Sequence, residues 1–398
     1  MFICIMNLSV NLNKVGIVGA GAMGAGIAQI ASQAGHQVVV FDLNQTALDT
    51  SSEKLAKVMN RRIEKGTFSK SDASDIQSRI LRTTDISEFN GCGLVIEAVV
   101  EDLNVKHSVF SQIEAVVSAD AVIASNTSSL SITTIAAGCK HPERIVGLHF
   151  FNPAPLMPLV EVIAALQTKE GLTDKLVDLM TQWGKAPVIA KDTPGFIVNR
   201  VARPYYAEAM RILDEGLADV STIDEAMKSL GFRMGPFELT DLIGHDVNYA
   251  VTESVFKAFY YDPRFKPSIT QLKLVEAGWL GRKTGRGFYK YAEDGSKTSF
   301  MLELTNDDHK SISERIIAML INEAADAVFW GIASVEDIDT AMTKGVNYPK
   351  GLLVWADEWG AAKVIDIIEK LRDNFGETRY RVSPKLRQLA ATGKKFYN

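Results

Sequence analysis

The residue types best suited to moving a proton come together at His149 and Glu161. His149 closes a short apolar stretch, residues 145–148, and Glu161 follows inside a second one, residues 159–163. A neutral imidazole accepts a proton near pH 7, and a carboxylate beside it fixes its tautomer and stabilises the cation that forms. Such a pair suits abstraction of a proton from an alcohol. Taken alone, a strand-end histidine and a glutamate also fit ordinary structure, so the weight falls on the elements that would position them.

Those elements begin near the N-terminus. Val15-Gly16-Ile17-Val18 predicts a buried strand, followed by Gly19-Ala20-Gly21-Ala22-Met23-Gly24 and a helix-forming run over residues 25–34 that Gly35 ends. Gln37-Val38-Val39-Val40-Phe41 predicts a second strand, closed by Asp42. This is a βαβ unit with GxGxxG at its first turn. The first glycine permits the tight turn, the second lets a pyrophosphate approach the backbone, and the third lets helix and strand pack closely. Asp42 can accept from a ribose 2′-hydroxyl and would repel a 2′-phosphate, and no arginine stands at residues 43–45, so NAD is expected over NADP.

Further strands are predicted at residues 94–98, 121–124 and 187–190. In a doubly wound sheet, strands ending at Gly19, Asp42, Ala98, Ser125 and His149 place their loops on one rim, where ligands bind. Ser128 lies on that rim, although by itself it reads as a turn or cap former. A polar helical stretch over residues 46–70 carries Lys57, Arg61, Arg62 and Lys65, which could meet an anionic substrate tail; each alone reads as a solvated face.

Of 398 residues, 46% are hydrophobic and 23% charged, enough for two or three domains with their own cores. A formal net charge of −5 excludes a general affinity for nucleic acid or an anionic membrane. Cys4, Cys92 and Cys139 form no CxxC, so neither a zinc site nor a disulfide framework is supported, and a reducing compartment, the cytoplasm, fits. No uncharged apolar run approaches the roughly 18–20 residues of a membrane span. Residues 1–13 lack a basic leader and read as an extension.

After Pro194 the periodicity turns helical. Val220-Ser221-Thr222-Ile223-Asp224-Glu225-Ala226-Met227 recurs 115 positions on as Val335-Glu336-Asp337-Ile338-Asp339-Thr340-Ala341-Met342. The segment from Gly235 to Gly244 recurs 116 positions on from Gly351, and residues 267–289 recur in shortened form at 383–397. A polar joint at 293–299 separates the copies. The expected plan is an extension (1–13), a nucleotide-binding domain (14–191), a first helical copy (192–295) and a degenerate second copy (296–398). The fold class is an α/β Rossmann-type doubly wound sheet followed by an all-α C-terminal region of two tandem helical repeats. The second copy is degraded at polar positions: Asn199 corresponds to Glu314, Glu238 to Val354, and Lys283 falls where it is shortened.

With these motifs in this order, the chain resembles the NAD-dependent (S)-3-hydroxyacyl-CoA dehydrogenases, from Lys14 to Tyr397. The likeness rests on residues 19–29, 125–129, 149–153, 159–162, 192–200, 235–238 and 281–289. It implies oxidation of a 3-hydroxyacyl-CoA to the 3-ketoacyl-CoA, as in fatty-acid β-oxidation, with NAD as cofactor and an acyl-CoA as partner. It gives His149 the proton transfer, Glu161 its orientation, Ser128 the substrate oxygen and nicotinamide side, and Asn199 the acyl group. It assigns Glu101, Lys106, Asn152 and Lys283 to NAD, and Lys65 to the CoA phosphates. His36, His107, His141, His245 and His309 are read as structural or solvated, without a comparable partner. A second copy would cover surface that single-copy members bury against another subunit; a homodimer stays compatible. Two other readings use the same residues: a dinucleotide-binding relative without turnover, and a reductase of a non-CoA hydroxy acid. The acyl group is left open among short, long and dicarboxylic.

Overall fold

A computed structural model describes residues 13–299 and 309–397. The proposed extension at 1–13, Asn13 excepted, and Cys4 lie outside the described residues. The chain divides into two compact units, one ending at Asp192 and the other beginning at Thr193.

The first unit is a sheet with helices on its faces. Its elements are β1 (Lys14–Val18), α1 (Ala22–Gln33), β2 (Gln37–Phe41), α2 (Gln45–Glu64), α3 (Lys70–Ser78), β3 (Ile80–Thr83), β4 (Leu94–Glu97), α4 (Leu103–Glu114), β5 (Val122–Ser125), α5 (Ile132–Ala137), β6 (Ile145–Phe150), β7 (Leu159–Ala164), α6 (Leu172–Gln182) and β8 (Ala186–Lys191). The strand order is β3-β2-β1-β4-β5-β6-β7-β8. From β3 to β6 the strands are parallel, so their carboxyl ends share one rim. β7 runs antiparallel to β6, and β8 parallel to β7. Every residue of β4, β5 and β6 is buried, as expected of strands covered on both faces. Two details depart from the expectations. β3 was not foreseen, and β6 runs two residues past Leu148, so His149 stands inside the ladder.

The second unit comprises α7 (Val198–Val201), α8 (Arg203–Asp214), α9 (Val220–Ser229), α10 (Pro236–Ile243), α11 (His245–Ala258), α12 (Ile269–Glu276), β9 (Tyr289–Tyr291), β10 (Lys297–Ser299), α13 (His309–Phe329), α14 (Val335–Gly345), α15 (Leu352–Trp359), α16 (Ala361–Phe375) and α17 (Pro384–Thr392). It is helical but not all-α: β9 and β10 form an antiparallel hairpin. The polar stretch expected to join two copies is the turn and second strand of that hairpin, so a boundary at 295 cuts one element in two.

α13 is buried almost throughout from Ile312 to Ala327, as suits a helix enclosed on all sides. α8, α9, α15, α16 and α17 surround it. Against α7 and α8 it makes a reciprocal exchange of charge. Arg200 Nε donates to Glu323 Oε1 at 2.6 Å, and Arg315 Nε donates to Glu208 Oε2 at 3.0 Å. All four are buried. Arg200 also lies over the Phe259 ring at 5.1 Å, and Arg315 over Phe375 at 5.0 Å.

Candidate active site

The glycine loop follows β1 directly. Gly19 has φ +101°, and a Cβ there would press on the Ala98 carbonyl; a Cβ on Gly24 would collide with the Gly19 carbonyl oxygen. Both glycines are demanded by the turn and by close helix–strand packing. Gly21 differs. Its φ of −64° suits any residue, and apart from the adjoining backbone nothing lies within 4 Å of where a Cβ would stand. The fold does not need a glycine there. A pyrophosphate approaching the N-terminus of α1 does.

Ala20, Ala22 and Met23 complete the loop, with Ala22 exposed and Met23 half-buried. Asp42 accepts the Ala20 amide at 2.8 Å and the Asn44 amide at 2.9 Å, which fixes its carboxylate beside the loop. These residues fit the adenosine half of NAD, which supplies the hydride acceptor when bound.

His149 and Glu161 are cross-strand neighbours in the β6–β7 ladder. His149 Nδ1 lies 2.6 Å from Glu161 Oε2, with Glu161 fully buried and His149 6% exposed. A carboxylate accepts, so Nδ1 carries the proton and Nε2 is the basic nitrogen. The Phe151 ring packs on the imidazole at a centroid distance of 4.4 Å. Asn126 Oδ1 accepts the Phe150 amide at 2.8 Å, pinning the end of β6 to the loop after β5. Asn152 follows β6 and is exposed.

Ser128 lies on the turn after β5, and Glu101 organises that turn. Glu101 Oε1 accepts the Thr127 hydroxyl at 2.5 Å, the Ser128 and Ser129 amides at 3.0 Å each, and the Ser129 hydroxyl at 2.9 Å. Burial works against its charge, but the Thr127 and Ser129 hydroxyls, the Lys106 ammonium and the Ser128 amide outweigh burial and hold the carboxyl below its ordinary range. Lys106, expected at the dinucleotide, is 1% exposed, with its ammonium 2.7 Å from Glu97 and 3.3 Å from Glu101. Burial keeps it behind Glu101.

Three expected residues stand on other elements. Lys65 caps the C-terminal end of α2 and is exposed. Asn199 is half-buried on α7 in the second unit. Lys283, also there, bridges Asp246 at 2.6 and 2.7 Å; burial opposes the Asp246 charge, but Lys283 holds that carboxyl low. The reading of the other histidines needs one correction. His245 has a carboxylate partner as close as that of His149: its Nε2 lies 2.7 Å from Asp241 Oδ1. Both are fully buried, and Asp241 also accepts the Phe288 and Tyr289 amides, so the pair ties core segments together. The sequence showed no role for Glu97, Asn126 or Thr127. Asn126 and Thr127 act through contacts 24 and 26 residues away, and Glu97 through Ser125, 28 away, and Lys106, nine away; the only local signal was a polar residue at or just past the end of a buried strand.

A phosphate-binding loop with its ribose acid, a histidine–carboxylate base and a hydroxyl-bearing turn on one rim define a dinucleotide-dependent oxidoreductase. Comparison with known proteins narrows this. The family model for the NAD-binding domain of 3-hydroxyacyl-CoA dehydrogenase matches residues 14–193, and that for its C-terminal domain matches residues 195–291 and 312–396. The chain belongs to the 3-hydroxyacyl-CoA dehydrogenase family, and NAD is its cofactor. It is 38% identical to 3-hydroxyadipyl-CoA dehydrogenase of Escherichia coli, over 96% of this chain and 98% of that one. It is 41% identical to a probable 3-hydroxybutyryl-CoA dehydrogenase of Deinococcus radiodurans, over 70% of this chain and all of that one. A crystal structure of 3-hydroxybutyryl-CoA dehydrogenase from E. coli matches with a TM-score of 0.88 at 38% identity, covering 96% of this chain and 99% of the other. No helix among the described residues is long and apolar enough to cross a membrane.

Proposed function

We propose that the chain interconverts (S)-3-hydroxyacyl-CoA and 3-ketoacyl-CoA with His149 as the proton-transferring group. The observation that carries this is the 2.6 Å contact between His149 Nδ1 and Glu161 Oε2 on paired strands. It leaves Nε2 to take the hydroxyl proton as hydride leaves the carbinol carbon, and Glu161 to stabilise the imidazolium. In the reverse direction the same nitrogen returns the proton. Base help of this kind is worth about 10²–10⁴-fold, and positioning of the carbinol hydrogen supplies more.

Ser128 hydrogen-bonds the substrate oxygen and Asn199 the acyl group. Glu101, Asn152 and Lys283 meet NAD, and Lys65 meets the CoA phosphates. The relatives' names support a four-carbon or a six-carbon dicarboxylic acyl group. The compartment is the cytoplasm.

The helical unit is read as two tandem copies, of which only the first serves the site. Asp224 accepts the Phe237 and Glu238 amides and the Tyr289 hydroxyl, and Asp339 accepts the Leu353 and Val354 amides and the Tyr397 hydroxyl. Asp241 accepts the Phe288 and Tyr289 amides as Asp357 accepts those of Phe396 and Tyr397. The counterpart of Asn199, Glu314, is bound by Lys363 at 2.7 Å.

The test is 3-ketoacyl-CoA-dependent oxidation of NADH, followed by relative kcat/KM over a series from acetoacetyl-CoA to long-chain 3-ketoacyl thioesters, with the 3-hydroxyadipyl thioester run forward. No turnover of any thioester, or turnover indifferent to competing free CoA, would sink the reading.

A further inference from the structure

The carboxyl ends of β4 and β5 hold a buried charge cluster that the chemistry above leaves without a purpose. Glu97 is the last residue of β4 and Ser125 the last of β5, and the two are in register. Glu97 is fully buried. Its Oε2 accepts the Ser125 hydroxyl at 2.7 Å, and its Oε1 accepts the Val99 amide and the Lys106 ammonium, each at 2.7 Å. Lys106 reaches on to Glu101 Oε2 at 3.3 Å, and Glu101 Oε1 gathers the turn that carries Ser128. A continuous polar path thus runs from the interior of the sheet to that turn. Along it the side chain of Glu101 is the first to surface, at 35% exposed.

Stability does not account for this arrangement. A buried ion pair can often be replaced by apolar side chains of similar volume with no loss of stability. What an apolar pair could not do is hold Glu101 from behind. Position makes that hold useful. The glycine loop and Asp42 tie the adenosine half of a dinucleotide to β1 and β2. A dinucleotide crossing the point where the strand order reverses lays its other half over the ends of β4 and β5.

We propose that Glu97 is a positioning residue of the dehydrogenase site: through Lys106 it fixes Glu101, and with it the turn bearing Ser128, under the nicotinamide half of NAD. This rests on the roles given above to Ser128 and Glu101. Glu97 touches neither cofactor nor substrate. Lys106 serves as its link, which explains an ammonium buried against two carboxylates.

The experiment is the double variant Glu97→Gln/Lys106→Met, which removes both buried charges together and strands neither. Its melting temperature is expected to stay within a few degrees of the parent. By fluorescence titration, NADH should bind roughly tenfold or more weakly, and kcat with acetoacetyl-CoA should fall by at least as much. KM for the thioester should change less than about threefold. In a Glu101→Gln background the double change should have little further effect on NADH binding, because residues acting along one path are non-additive. A double variant that melts and binds NADH like the parent overturns the proposal, as does full additivity with Glu101→Gln. Should the double variant fail to fold, Ser125→Ala removes one restraint on Glu97 and leaves the charges. It should weaken NADH binding about threefold at an unchanged melting temperature, and unchanged binding overturns the proposal. A parent that binds NADH but turns over no thioester defeats the catalytic reading separately, because the NADH titrations stand without turnover.

Discussion

His149 and Glu161 face each other across two strands, so the backbone ladder sets the distance between base and acid. Replacing His149 by Ala is expected to lower kcat by about 10²–10⁴-fold, with NADH affinity in a fluorescence titration unchanged. Glu161→Gln keeps the shape and removes the counter-charge, so kcat should fall while the fold persists. Elsewhere, burial pushes Asp224 up to about 7 against the hydrogen bonds of Phe237 and Tyr289 and the charges of Lys297 and Lys228. An unfolded aspartate gives up its proton near pH 4. Between about pH 4 and 7 the folded chain therefore holds the extra proton, and stability falls as pH rises through that window. The urea midpoint should decline across it, and Asp224→Asn should flatten the decline. Among these residues the catalytic pair was readable because its two members flank one short loop. The Asp241 partner of His245 escaped notice although only four positions away, because Gly244 breaks the helix between them and periodicity no longer applies.

At the scale of elements, the strand–glycine loop–helix unit was legible because its requirements are local: a turn, a close approach, a helix start. The second and third glycines of the motif now make different predictions for stability. Gly21→Ala meets open space at an ordinary φ, so stability should change by less than about 0.5 kcal/mol while NAD affinity drops tenfold or more. Gly24→Ala must move the Gly19 carbonyl, so both the melting temperature and NAD affinity should fall; a calorimetric scan beside a binding titration separates the two cases. β3 went unread because it is an edge strand with only Ile80 buried, which leaves no alternation to detect. The β9–β10 hairpin went unread because its second strand is polar and its partner pairs only three residues. α7 and α8 read as one helix with a break, and Pro204, at the start of α8, supplies it by lacking an amide hydrogen. The corresponding residue, Met319, lies in the uninterrupted α13.

For the molecule as a whole, the division at Asp192 could be read from the turn to helical periodicity after Pro194, and the likeness within the second half from residues that recur at offsets of 115 and 116. The crossed ion pairs could not, since an arginine and a glutamate on separate helices carry no mark of their partner. Glu323 is fully buried and also accepts from Arg264 at 2.9 Å. Glu323→Gln would leave Arg200 and Arg264 short of counter-charge and should cost about 3–5 kcal/mol, read from the urea midpoint of the intact chain. The same crossing bears on biosynthesis. Glu208 meets Arg315 only after 107 further residues have been made. At roughly 5–20 residues per second, the nascent first half waits on the order of 5–20 s with its charged helix face bare. During that interval a ribosome-associated chaperone, rather than the protein itself, would have to shield α8.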